Sequence, residues 1–173
     1  MSEEAQPIVI DNGSSMMKVG FAGDEAPRSV FPSVVGLLKF ETPRLDKNIY
    51  VGDEVCGKAN NLSLNYPIKH GNIEDWDDME KIWKYIFYNE LRVEPTEHTV
   101  ILSKPVNNPK VNNEKMTQIM FETFNVPSFY LGTQGAFSMY ASGRTTGITC
   151  DIGGGLCQFV PIYEGNIVIN ATN

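Results

Sequence analysis

The sequence predicts an α/β fold, in which helices pack against sheets in layers. Strand-like and helix-like segments alternate along the chain after an initial pair of strands, which is typical of layered α/β proteins. In addition, one strand–turn–strand pattern occurs twice, at residues 8–16 and 148–156. A separation of about 140 residues is too long for a stacked repeat and indicates two duplicated lobes.

The chain opens with a predicted hairpin. Residues 7–10 are apolar and run into the turn sequence Asp11-Asn-Gly13, and residues 16–22 form the predicted returning strand. A polar stretch at residues 39–48 predicts an exposed loop.

Apolar residues at helical spacing predict a long helix over residues 76–91, with Asp77 and Glu80 as a capping box at its start. A second helix is expected to open at Asn112 or Asn113 and to stop before Pro127. The remaining predicted elements are strands at 99–102 and 129–131, a short helix at 134–141, and the second strand pair at 147–151 and 156–162.

Composition excludes several classes of function. Fourteen Lys and Arg residues against 21 Asp and Glu give a net charge of −7, which disfavours sequence-blind binding to nucleic acid. The longest apolar run, at residues 34–38, is too short to cross a bilayer, and no apolar signal core is present near Met1. Three cysteines without a CxxC pair indicate neither a disulfide framework nor a zinc site. We therefore expect a reduced, cytoplasmic protein that does not insert into membranes.

The repeated turn is the feature that points to a binding site. Asp11 and Asp151 each end an apolar strand, and a residue, a glycine and two small residues follow each of them. Small residues let backbone N–H groups surround an anion, and an aspartate can hold a hydrated cation beside it. Two facing hairpins of this kind would clamp a polyphosphate with Mg²⁺. The alternative is that Gly and Asp simply form tight turns, as they often do.

Other nucleotide-binding and metal-binding patterns are missing from the sequence. It contains neither GxxxxGK[ST] nor a GxGxxG at a strand-to-helix junction. His70 and His98 are too few for a metal cluster, and the carboxylates at residues 75–80 fit helix capping better than catalysis.

Several long, colinear segments resemble the amino-terminal part of the actin family. They include DNGSSMMKVGFAGDEAPR at residues 11–28 and WDDMEKIW at residues 76–83. Further matching segments lie at residues 31–36, 50–54, 87–93, 115–125, 140–147 and 160–165. The resemblance implies the actin/hexokinase-type, ribonuclease H-like ATPase fold, in which facing hairpins hold the phosphates of ATP.

The resemblance also implies roles for individual residues. Asp11 and Asp151 would order water around a Mg²⁺ or Ca²⁺ ion bound with ATP, and Lys18 would reach the phosphates as a point charge. Gln134 would orient the attacking water, so Gln134, Asp151 and Asp11 are the expected catalytic set. The remaining expected phosphate-binding residues are Gly13, Ser14, Ser15, Met16, Gly153, Gly154, Gly155 and Leu156.

The sequence departs from the actin pattern at both hairpins. Actin has glycine at the position of Ser15, aspartate at that of Gly154, and histidine at that of Gln158. The segment between Gly36 and Tyr50, actin's DNase-binding loop, is three residues shorter here. These differences predict a degenerate cleft with impaired hydrolysis and altered polymerisation.

Because the family's chains are longer, the resemblance implies that this sequence covers one complete lobe and only the beginning of the second. Residues 1–146 would form the first lobe, with a small subdomain inserted at about 33–69, and residues 147–173 would begin an incomplete second lobe. One hypothesis is an ATP-binding, actin-like cytoskeletal protein. A second is a non-hydrolysing module whose partners are actin filaments or actin-binding proteins, and a third is a truncated product without a role.

Overall fold

A computed structural model of the chain describes residues 5–39 and 47–168. Its strands are β1 Ile8–Asn12, β2 Met16–Phe21, β3 Ser29–Pro32, β4 Val35–Leu38, β5 Ile49–Val51, β6 Leu62–Asn65, β7 Ile68–Lys69, β8 Asn72–Ile73, β9 Val100–Lys104, β10 Phe129–Thr133, β11 Gly147–Ile152, β12 Cys157–Tyr163 and β13 Asn166–Ile167. Its α-helices are α1 Trp76–Tyr85, α2 Lys110–Glu122 and α3 Gln134–Ala141. The loop predicted at residues 39–48 falls mostly outside the described residues.

The largest sheet confirms the predicted α/β class. Its five strands are ordered β10-β9-β1-β2-β3, with β1 parallel to β9, β9 parallel to β10, and the β1–β2 and β2–β3 pairs antiparallel. Ile8 and Ile10 of β1 are fully buried at its centre. The first hairpin therefore starts from the middle of a mixed sheet, where its position is fixed by strands on both sides.

Helices cover this sheet and complete its core. Trp83 of α1, Phe87 in the π-helical turn Ile86–Leu91 that follows α1, and Met116 and Met120 of α2 are all buried in the same cluster as the strands. Full burial of such large side chains is the main stabilising contribution to this half of the molecule.

Two smaller sheets lie within residues 35–38 and 49–73, where the sequence pattern predicts no strands. They are ordered β5-β4-β6 and β7-β8, and the first has its own small core of Val34, Tyr50, Val55 and Leu62. These strands are only two to four residues long. That length is too short for alternating burial to appear as a periodic pattern.

The last sheet contains the second hairpin and has two unlike faces. Its order is β11-β12-β13, and α3 packs on one face, where Gly135 lies against Thr149 and Val160. Ile148 and Ile152, on the other face, are 72% and 75% exposed.

Helix α1 begins at its predicted residue, Trp76, and α3 has its predicted bounds, whereas α2 begins earlier than predicted. Helix α1 is capped by Asp75, whose carboxylate accepts a hydrogen bond from the N–H of Asp78, so the capping box expected at Asp77 and Glu80 is wrong. Helix α2 begins at Lys110, ahead of the predicted asparagines, because the carbonyl of Pro109 accepts the first helical hydrogen bonds. Within the described residues, no helix combines the length and apolar character that a membrane crossing requires.

Candidate functional site

The first hairpin, between β1 and β2, presents Asp11 at the carboxyl end of β1. One oxygen of its carboxylate, Oδ1, accepts hydrogen bonds from Ser103 Oγ at 2.6 Å and from Gln134 Nε2 at 3.0 Å. The other, Oδ2, accepts one from Lys18 Nζ at 3.1 Å. Three elements thus fix the position of this carboxylate, and Lys18 balances its charge.

Asn12 anchors the same hairpin in the core. Its backbone N–H donates to Ser103 Oγ at 2.9 Å, and its side-chain Nδ2 donates to the Ser103 carbonyl at 3.1 Å. The indole Nε1–H of Trp83 donates to Asn12 Oδ1 at 3.2 Å. Because all of these groups are buried, an unpaired one would be costly, and the network holds the hairpin rigidly.

The turn itself requires glycine at position 13. A Cβ on Gly13 would lie 2.2 Å from the carbonyl oxygen of Met16, a distance that no side chain tolerates. Ser33 supports the turn from behind, since its hydroxyl donates to the Gly13 carbonyl and its N–H donates to the Ser15 carbonyl.

The second hairpin, between β11 and β12, is closed by a hydrogen bond from the Gly153 N–H to the Leu156 carbonyl at 2.9 Å. Asp151 and Gln158 are directly opposite each other across this strand pair. Gln158 Oε1 accepts a hydrogen bond from the backbone N–H of Val106 at 3.1 Å.

The two hairpins meet tip to tip. A Cβ on Gly154 would lie 2.7 Å from Ser15 Cβ, and one on Gly155 would lie 2.7 Å from Ser14 Oγ. Both glycines are therefore needed for this approach, because any side chain at either position would push the hairpins apart.

A third segment, the turn between β7 and β8, bridges the two hairpins. The N–H of Gly71 donates to Ser14 Oγ at 3.0 Å, while His70 Nδ1 lies 3.2 Å from the Gly155 carbonyl oxygen. The sequence pattern excludes His70 from a metal cluster and does not identify Gly71 as part of a site. A glycine directly after the histidine was the available signal, since it marks a turn in which backbone N–H groups are exposed.

The space enclosed by these segments is a cleft of about 200 Å³. Every residue predicted to bind phosphate, to hold the cation or to assist catalysis lines it: Asp11, Gly13, Ser14, Ser15, Met16, Lys18, Gln134, Asp151, Gly153, Gly154, Gly155 and Leu156. Asn12, Gly71 and Gln158 line it as well. Sequence positions more than 130 residues apart are thus brought to a single cavity.

The donor set of the cleft suits a hydrated cation better than a directly ligated one. In the part of the chain that the structure describes, no cluster of three or more His, Cys, Asp or Glu side chains could enclose a metal ion. Asp11 and Asp151 instead line opposite hairpins of the cleft. Two separate carboxylates can accept hydrogen bonds from the waters of an ion such as Mg²⁺, which usually keeps several of its waters.

The family described as Actin matches the chain over residues 2–173. The chain belongs to the actin family. The mixed five-stranded sheet is consistent with an actin-type fold. Actins generally bind a nucleotide with a divalent cation and are generally cytoskeletal and cytoplasmic.

Proposed function

We propose that this actin-family chain binds the phosphates of a nucleotide, together with Mg²⁺ or Ca²⁺, in the cleft between the two hairpins. The observation that carries the proposal is the convergence of both Asp-x-Gly turns, Lys18 and Gln134 on one cavity. We further propose that residues 1–146, with a subdomain at about 33–69, act as one lobe, and that residues 147–173 begin the second.

The charges of the cleft make the cation essential in this proposal. Asp11 and Asp151 contribute two negative charges and Lys18 one positive charge, and Lys18 is paired with Asp11. A nucleoside triphosphate is strongly anionic. The two carboxylates would therefore repel its phosphates unless a divalent cation lies between the carboxylates and the phosphates. Backbone N–H groups of the two turns and the ammonium of Lys18 would then hold the phosphate oxygens.

The lining residues support recognition of phosphate more than of a base. Among the described residues that line the cleft, Met16 and Leu156 are the large apolar ones, and none is aromatic. A base would therefore gain little from stacking in this cleft. We expect weak binding with little discrimination between ATP and GTP.

Hydrolysis is expected to be slow. Gln134 donates its amide N–H to Asp11, which leaves its carbonyl oxygen able to orient a water molecule. Gln158 is an amide and cannot accept a proton from that water as an imidazole can. The phosphate-release rate should therefore be close to background and insensitive to Gln134→Ala.

Isothermal titration calorimetry of the purified chain tests the proposal. Mg-ATP and Mg-GTP should bind with similar affinity, and EDTA should abolish binding. Asp151→Asn should weaken Mg-ATP binding by about tenfold, since it loses one carboxylate that holds the hydrated cation. Asp24→Asn, which changes the same charge at a surface ion pair with Arg28, should have no effect. Tight binding that prefers ATP and persists in EDTA would contradict the proposal.

A second candidate function is an interaction module whose partners are actin filaments or actin-binding proteins. Support comes from the exposed apolar face of the β11–β12 pair and from the departures Ser15 and Gln158 at the cleft. Such a module would be located in the cytoplasm with the cytoskeleton. Co-sedimentation with actin filaments tests it: the chain should pellet with filaments but not alone. Pelleting alone in polymerising salt would instead favour self-assembly, and no pelleting in either case would exclude filament binding.

A further inference from the structure

The amide of Gln158 has a fixed orientation. The backbone N–H of Val106 can only donate, and it donates to the carbonyl oxygen Oε1 of Gln158 at 3.1 Å. The side-chain oxygen is therefore occupied by the protein, and the NH₂ group is held at the other end of the amide.

The NH₂ group belongs to a residue that faces the cleft. Gln158 is opposite Asp151 in the β11–β12 register, so both side chains project to the same face, and both line the cleft. Among the hydrogen bonds of the described residues, none uses Gln158 Nε2, whereas Gln134 Nε2 is already bonded to Asp11. Gln158, which lines the cleft, thus has two N–H donors without a protein partner, and among the described lining residues Lys18 is the one cationic side chain.

We propose that Gln158 is a phosphate-binding residue, which donates its amide N–H to an oxygen of the anion held between the hairpins. This inference rests on the proposed function and assigns one residue of that site. A hydrogen-bond donor suits this position, because Asp11 and Asp151 already bring two carboxylates to the cleft and a further oxygen acceptor would repel phosphate. The Val106 N–H acts as the positioning group that prevents the amide from rotating by 180°.

Binding of Mg-tripolyphosphate, which has no base or ribose, isolates this contact. Gln158→Met keeps the length of the side chain but removes both its donors and the acceptor of the Val106 N–H. It should weaken binding about tenfold, as expected for a hydrogen bond to a charged group. Gln158→Glu, which can still accept the Val106 N–H but offers no donor, should weaken it more. Gln118→Met, on the exposed surface of α2, is the matched control and should bind like the unaltered chain.

The side-chain amide signal of Gln158 in ¹⁵N–¹H spectra distinguishes a phosphate contact from a purely structural role. A purely structural role predicts no change of this signal when the anion is added. The Gln158 NH₂ signal, identified by its loss in Gln158→Met, should shift on addition of Mg-tripolyphosphate and stay in place with MgCl₂ alone. Thermal melting establishes that each variant is folded, and the signal of the unaltered chain tests the inference even if a variant is not.

The outcomes separate the two levels of the proposal. Failure of the unaltered chain to bind Mg-tripolyphosphate and Mg-ATP would reject the proposed function itself. Binding by the unaltered chain with equal affinity in folded Gln158→Met, or with an unmoved Gln158 NH₂ signal, would overturn the role of Gln158 and leave the proposed function standing.

Discussion

The two hairpins share one sequence pattern but differ in how the protein holds them. The first arises from the centre of the five-stranded sheet, and its Asn12 is 4% exposed and bonded to Ser103 and Trp83. In the second, the aligned residue is Ile152, which is 75% exposed. Asp11 accepts three hydrogen bonds, whereas those found among the described residues include none to the carboxylate of Asp151.

This difference shows that two turns with the same sequence pattern can be preorganised to very different degrees. The first hairpin is fixed by buried groups before any ligand arrives, so little entropy is lost there on binding. The strands of the second pack against α3 through Thr149 and Val160, but its tip is positioned by contacts with Ser14, Ser15 and the His70–Gly71 turn, which lie at the cleft itself. Ligand binding should therefore order the second hairpin more than the first.

The largest expected difference between the two hairpins is the loss of stability when the aligned residues Asn12 and Ile152 are each replaced by alanine. Asn12→Ala leaves the buried indole N–H of Trp83 without its acceptor, so the free energy of unfolding should fall by about 2–4 kcal/mol. Ile152→Ala, at an exposed site, should change it by less than about 0.5 kcal/mol. Urea denaturation measures both. Equal losses would show that the two hairpins are anchored alike.

The contact between the hairpin tips gives a second test. Gly154→Asp restores the residue that actin has but places its Cβ against Ser15, so it should cost about 1–3 kcal/mol of stability. Ser15→Gly removes the obstructing side chain and should recover most of that loss in the double variant, with a coupling energy of about 1 kcal/mol or more. Additive losses in this double-mutant cycle would mean that the tips do not touch.

A smaller effect should appear at alkaline pH, through Tyr85 of α1, whose ring packs in the core beneath the five-stranded sheet. Burial, followed by the hydrogen bond and charge of Glu90, raises the pKa of Tyr85 well above its ordinary value. The neutral form is favoured in the folded state, so this contribution is constant below pH 10 and is lost as the pH rises further, by about 1 kcal/mol at pH 11.

Tyr85→Phe should therefore lose less stability than the unaltered chain between pH 9 and pH 11, as followed by urea midpoints. Tyr163→Phe, which removes a hydroxyl at an exposed position of β12, is the matched control. A pH dependence that is identical in all three proteins would place the Tyr85 hydroxyl in contact with water.

Much of the cleft could be predicted from the sequence because its chemistry is concentrated in two local turns. A strand that ends in Asp-x-Gly specifies a turn, a carboxylate and a set of backbone N–H groups together. The predicted bounds of α3 are likewise confirmed at Gln134–Ala141, where the helix directly follows β10.

The remaining parts of the site depend on contacts between distant segments. Ser103, which bonds to Asp11 and Asn12, belongs to a strand that the pattern identified without any sign of a polar role. Gly71 and Val106 act through backbone N–H groups, and every residue except proline has one. Such contributions become visible only once the strand order is known.

The parallel pairing of β1 with β9 also has a consequence for synthesis of the chain. Asn12 and Ser103 are 91 residues apart, so the ribosome makes the first hairpin long before its anchoring strand. At translation rates of roughly 5–20 residues per second, synthesis reaches β9 about 5–20 s after β1, and one edge of β1 stays unpaired for that time. During that interval β1 can pair with β2 but not with β9, so one edge of the most deeply buried strand is exposed to mispairing.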